Sequence, residues 1–186
     1  MEVKGTAVIA IRDFVKRNYP DQFTDWLNEL SDDAKAIYGN TIDSTQWYPV
    51  ECGAKEPTEK IGKMFFNGDI KEGAMEAGRY SAEKALTGIY KIFVKAANPQ
   101  YIIKRASRVF ATYYRPCEIQ VVDVPKNGVV VEMTKVTERY EAIERRILGW
   151  MYMALEISGC QGVNITNELV REEAEGKVVK FDMRWN

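Results

Sequence analysis

Groups able to do chemistry are sparse in this chain, and the commonest of them is missing. None of the 186 residues is histidine, which removes the usual neutral-pH general base and metal ligand together with every histidine-dependent triad. Cys52, Cys117 and Cys160 are odd in number and far apart, so neither a disulfide framework nor a cysteine zinc site is expected. Cys160 follows Ser158-Gly159 at the end of a predicted helix, whose negative pole raises a thiol's pKa and disfavours a reactive thiolate. Cys117, between Pro116 and a strand, is the better candidate for the wall of an internal cavity, beside the plainer reading of an inert buried thiol. Glu172, Glu173 and Glu175 offer clustered oxygens to a hard cation, but they lack the spacing and glycine of an EF-hand loop and read as a solvated turn. Lys104, Arg105 and Arg108 have no aromatic platform on the same face and read as solvated rather than as a nucleic-acid patch. Trp47-Tyr48-Pro49 places two aromatics in a connection, to anchor it on the core or to line a site. No glycine-rich phosphate loop, nucleophile elbow or paired-acid constellation occurs. The chain reads as no enzyme, with no cofactor.

Elements must hold these groups, and their order is helical first and sheet-forming last. Ala7, Ile11, Phe14 and Val15 make a helical stripe that ends before Asn18-Tyr19-Pro20. Phe23, Trp26, Leu27 and Leu30 follow in a short helix, and Ser31 caps another turn or two through Tyr38. Pro57 fits the first turn of a helix ending near Asn67-Gly68, and Asp69 can cap the next, reaching to about Ala97. That helix begins with small residues, Gly73, Ala74, Ala77, Gly78, Ser81 and Ala82, which either let another backbone come close or leave room for a ligand. Ile89, Tyr90, Phe93 and Val94 make its second half bulky. A further helix from Pro99 turns Ile102, Ile103, Ala106, Val109, Phe110 and Tyr113 inward and ends at Arg115-Pro116. The period then changes to two over residues 118–124, Lys126-Asn127-Gly128 signals a tight hairpin, and residues 129–133 return. A long amphipathic helix carries Tyr140, Ile143, Ile147, Trp150, Met151 and Leu155 on one face, with Thr137 as its expected cap. Strands near residues 163–169 and 178–185 close the chain.

The predicted fold class is therefore α+β: N-terminal helices followed by β-β-α-β-β, a four-stranded antiparallel sheet packed against helices. One domain is expected over residues 1–186, mainly helical in 1–116 and sheet-containing in 117–186. Hydrophobic residues make up 46% and charged residues 28%, with a formal charge of −1, which argues against a broad nucleic-acid footprint. No run reaches the ~18 apolar residues of a membrane span. The opening Met1-Glu2-Val3-Lys4-Gly5 is no signal peptide, so the cytoplasm is the expected compartment.

In this order the chain resembles the superfamily of haem nitric-oxide-binding domains, bacterial 4-vinyl reductase domains and TRAPP tethering subunits. Val3-Lys4-Gly5-Thr6, with the helix through Phe14 to Tyr19, is similar to the start of the haem sensors. A nearer resemblance is to an uncharacterised bacterial family of about this length. It rests on Val3-Lys4-Gly5-Thr6, Trp47-Tyr48-Pro49, Gly78-Arg79-Tyr80-Ser81-Ala82, Leu148-Gly149-Trp150, Leu155-Glu156-Ile157-Ser158-Gly159 and Phe181-Asp182-Met183-Arg184-Trp185. Haem sensors of this kind hold iron through a histidine on the helix before the sheet, and the matching stretch, about Pro99 to Arg115, has none. Nor is there a Tyr-x-Ser-x-Arg propionate clamp, of which Tyr113-Tyr114-Arg115 is the nearest approach. The cysteine that relatives often carry in the last hairpin is absent from Glu175-Gly176-Lys177-Val178-Val179. Axial ligation by Tyr or Cys is open chemically, but colourless protein is the expectation.

What the resemblance implies is a non-catalytic sensory or ligand-binding domain for a small, largely apolar molecule, acting in signalling. The alternative is a protein-interaction or homodimerisation subunit with no ligand. A homodimer or a signalling-protein partner is expected. The ligand site is placed at Ala77, Ser81, Ala82, Val109, Phe110, Tyr113, Arg115 and Cys117, with Ser81, Tyr113 and Arg115 as polar anchors in an apolar wall.

Overall fold

The structure, a computed structural model, describes residues 1–86 and 113–186. Helix α1 (Gly5–Asn18) buries Ala7, Val8, Ile11, Phe14 and Val15, the stripe its spacing predicts, and stops at Tyr19 before Pro20. Helices α2 (Phe23–Asn28) and α3 (Asp32–Tyr38) follow. Ser31 caps α3 as expected, its Oγ accepting from the Ala34 N–H at 3.4 Å. Trp26 of α2 is fully buried, packs edge-on against Tyr38 at 5.2 Å, and donates from its indole to the Pro57 carbonyl at 3.3 Å. A π-helical turn over Glu51–Lys55 leads into α4 (Glu56–Phe65), with Pro57 in the first turn, where its missing N–H costs nothing. Asp69 accepts from the Glu72 N–H at 3.0 Å and caps α5 (Ile70–Leu86).

Two antiparallel sheets complete the chain. The smaller joins β1 (Glu2–Lys4) to β2 (Trp47–Pro49) on one side and β3 (Tyr114–Arg115) on the other. The stretch Trp47-Tyr48-Pro49, expected as a connection, is thus a strand, and its indole is stacked by Lys4 and Arg115 at 4.8 and 4.5 Å. The larger sheet contains β4 (Glu118–Asp123), β5 (Gly128–Val136), β6 (Asn164–Glu173) and β7 (Gly176–Arg184) in the order β4-β5-β7-β6. Its two hairpins join through β5 and β7 into the one four-stranded antiparallel sheet expected. Val129, Val131 and Met133 stand opposite Met183, Phe181 and Val179, all of them buried. Each such side chain contributes about 1.5–3 kcal/mol by leaving water. The opposite face is polar and laced with ion pairs, including Arg171 with Glu132 at 2.8 Å and Lys180 with Glu168.

Helix α6 (Glu141–Ile157) lies between α5 and this sheet. Its approach to α5 is reciprocal and very close. A Cβ on Gly78 of α5 would sit 2.0 Å from the Arg146 carbonyl oxygen, and one on Gly149 of α6 would sit 2.0 Å from that of Met75. Only glycine lets both backbones meet there.

Two local expectations differ from the structure. Thr137 does not cap α6; the helix begins four residues later, and Tyr140 is its N-cap residue. The Tyr140 hydroxyl lies between Glu138 and Glu51, which ties this entry to the π-helical turn. Asn127-Gly128 forms no positive-φ turn; the Gly128 N–H instead closes a turn onto the Pro125 carbonyl at 3.3 Å, next to a β-bulge in β4. Among the described residues, no helix is long and apolar enough to cross a membrane. The predicted stripes at Ile89, Tyr90, Phe93, Val94 and at Ile102, Ile103, Ala106, Val109, Phe110, with the cations Lys104, Arg105 and Arg108, lie outside the described residues.

Candidate functional site

A cavity of about 290 Å³ opens where α1, α5, α6 and the larger sheet converge. Thr6, Ala7, Ile9 and Ala10 of α1 form one wall, and Gly78, Ser81 and Ala85 of α5 form the next. Ile147, Trp150 and Met151 of α6 face them, Ile119 and Val131 of the sheet make the floor, and Tyr113 and Tyr114 close one side. Its volume lies near the lower end of the roughly 300–1,000 Å³ range of small-molecule sites, and its mostly apolar lining is typical of them. An ion pair stands at its edge: Lys84 reaches Asp13 at 2.7 Å, and that hydrogen bond holds the Lys84 ammonium above its ordinary pKa.

Among the described residues, one charged side chain lies inside. Arg146 of α6 is 4% exposed and lines the cavity. Its Nη1 donates to the Tyr114 hydroxyl at 2.8 Å, and its Nη2 donates to the Ala7 carbonyl at 2.9 Å and to Ser81 Oγ at 3.1 Å. Ser81 can accept because its own proton goes to the Ala77 carbonyl at 2.9 Å. The Nε–H is buried and has no acceptor among the described residues. All three acceptors are neutral, and no carboxylate pairs with Arg146 among the described residues. Sequence reasoning missed this residue by naming only the apolar positions of this helix. The signal was present: Arg146 is three residues after Ile143 and four before Trp150, which puts a cation on the apolar stripe.

The residues singled out in the sequence fall into three groups. Ser81 and Tyr113 line the cavity, as does Gly78 from the same small-residue stripe. Ala77 and Ala82 are fully buried in other packing and are not among its walls. Arg115 lies on the surface, paired with Glu2 and stacked on Trp47, so it anchors the small sheet and not the cavity. Cys117 is buried but turned away, its Sγ 3.7 Å from the Lys135 carbonyl, and burial pushes its thiol up to about 11. Val109 and Phe110 lie outside the described residues.

The other reactive-looking groups are quiet. Burial also raises the thiols of Cys52 and Cys160, so none of the three cysteines is set up as a thiolate. The glutamates near the last turn are ion-paired separately: Glu173 to Arg171 at 2.7 Å, Glu175 to Lys135 at 3.4 Å and Glu172 to Lys177 at 4.0 Å. Glu172 and Glu173 belong to β6 and not to a turn, and Gly176, at φ +137°, opens β7. Among the described residues, no cluster of three or more Cys, Asp or Glu is arranged to hold a metal ion.

No family model matches the chain, and no curated protein does. Solved structures do match it, and they share one fold. The Fe(II) unliganded H-NOX protein from K. algicida superimposes with a TM-score of 0.69 at 12% identity, over 98% of this chain and 96% of that one. A mutant of the same protein gives 0.70 at 14% identity with the same coverage. An H-NOX structure from work on heme distortion in that family gives 0.65 at 14%, covering 98% and 95%. The chain therefore has the H-NOX fold over nearly its whole length, which is the architecture that the superfamily resemblance implies.

Proposed function

We propose that this chain is a non-catalytic sensory domain that takes a small, largely apolar molecule into the cavity between α1, α5, α6 and the sheet. The observation that carries the reading is the cavity itself: an apolar chamber at the junction of three helices and a sheet, reached by a few converging polar groups. The fold adds weight, because the structures that share it include ones from work on heme distortion in the H-NOX family. Occupancy would be passed to a signalling partner or a second copy of the chain, and a cytoplasmic setting suits that role.

Haem does not fit the residues present. The chain has no histidine, and no cysteine is among the cavity's described walls. The hydroxyl oxygen of Tyr114 is already engaged by the Arg146 guanidinium at 2.8 Å. A different, smaller occupant is the better match.

Native mass spectrometry of the purified chain tests the reading and reports the oligomeric state at the same time. The expected result is colourless protein that retains a small organic mass or takes one up when apolar compounds are offered. A stoichiometric Soret band, or a chain that takes up nothing, would overturn it.

A further inference from the structure

The cation in the cavity defines the occupant more closely. A guanidinium has five N–H donors and no acceptor, and Arg146 spends three on neutral oxygens while its Nε–H is buried with no acceptor among the described residues. Taking such a charge out of water is costly unless a counter-charge accompanies it. The two other charged groups lining the chamber among the described residues, Asp13 and Lys84, are paired with each other. Residues 87–112 contain neither aspartate nor glutamate, so that stretch has no carboxylate to supply whatever its placement. The missing counter-charge has to come from outside the chain.

We propose that the occupant of the cavity is a carboxylate with an apolar body, its anionic head held by Arg146 and its body lying against Ile147, Met151, Ile119 and Val131. Guanidinium suits a carboxylate in particular, because its planar donors match the two oxygens and a charge-assisted hydrogen bond is about twice as strong as a neutral one. Ser81 and Tyr114 hold the guanidinium in place, so the head group meets a cation already oriented. At about 30 Å³ per water-sized unit, the volume admits roughly ten such units. That is the scale of a medium-chain fatty acid or a small aromatic acid.

This assignment rests on the ligand-cavity reading above, and the experiment separates the two. Octanoate and 1-octanol share an apolar chain and differ in the head. Calorimetric titration of the whole chain at neutral pH is expected to show octanoate binding at least about tenfold more tightly than 1-octanol, a gap of ~1.4 kcal/mol. In Arg146→Met that preference should disappear, while 1-octanol binds as before or better. Equal affinity of the native chain for both probes would overturn the carboxylate assignment and leave the cavity reading standing, with Arg146 a strut between helices. Binding of neither probe would overturn both. Should Arg146→Met fail to fold, the native-chain comparison decides alone.

Discussion

Two charges sit buried two residues apart on α6, and the protein treats them differently. Glu144, 5% exposed, accepts both arms of the Arg139 guanidinium at 2.6 Å and an amide N–H of Asn167 at 2.6 Å. Its charge is cancelled by a neighbour only five residues earlier in the chain. Arg146, 4% exposed, meets a phenol, a backbone carbonyl and a serine hydroxyl, and no carboxylate. The contrast separates two uses of a buried ion. A charge closed by its own chain fixes how a helix enters the core, whereas a charge left open inside a cavity keeps its interaction energy for something that arrives later.

Displacing the helix that carries both charges should have the largest effect. Gly78→Val would drive a side chain into the Arg146 backbone at the closest approach of α5 and α6. A loss of about 3 kcal/mol is expected, the upper end of the usual cost of overpacking, together with loss of both charged arrangements. Chemical denaturation measures the first, and a melt unchanged from the native chain would show that α6 is not pinned at Gly78.

Next in size is the closed charge. Glu144→Gln keeps the shape but weakens the hydrogen bonds to Arg139 and Asn167. A cost of about 2 kcal/mol is expected, as for hydrogen bonds to a charged group. The pair should also be coupled, so that Asn167→Ala costs less in the Glu144→Gln background than in the native chain. Strict additivity would mean that Asn167 and Glu144 do not act together.

Much of this framework was legible beforehand, because periodicity reports what packs. The alternation after Pro116, the stripe on α6 and the Ser31 and Asp69 caps all follow from local rules, and all appear in the structure. What could not be read was decided by partners distant in sequence. The aromatic stretch at Trp47 becomes a strand only because residues 2–4 lie beside it. The cap position expected at Thr137 falls on Tyr140, whose hydroxyl meets Glu51, far along the chain. The small-residue stripe of α5 divides between two tasks: Gly78 meets the α6 backbone and Ser81 reaches the cavity, while Ala77 and Ala82 pack elsewhere. Cys117 was expected as a cavity wall and Arg115 as a polar anchor, but Arg115 is held by Glu2 and Trp47 and Cys117 by the Lys135 carbonyl, all distant in sequence.

The smallest change in stability is expected at the open charge, and there the sign carries the information. Arg146→Met keeps a long, unbranched side chain and removes the cation. If Arg146 served as a strut between α1, α5 and α6, the loss of three hydrogen bonds should cost at least as much as Glu144→Gln. As a cation whose counter-charge lies outside the chain, it also carries a desolvation penalty in the empty protein, and Met relieves it. Replacing buried ions by apolar groups of similar volume is often neutral or stabilising. The acceptors left behind are tolerant: the Ala7 carbonyl sits within α1, and the Ser81 hydroxyl still donates to Ala77. Stability should therefore move by no more than about 1 kcal/mol in either direction when ligand is absent. Saturating carboxylate should then stabilise the native chain and not the variant, since a ligand stabilises only the state that binds it. Denaturation of both proteins with and without octanoate gives the four values required. A variant that loses several kcal/mol without ligand would make Arg146 a structural residue like Glu144, and the difference between the two charges would vanish.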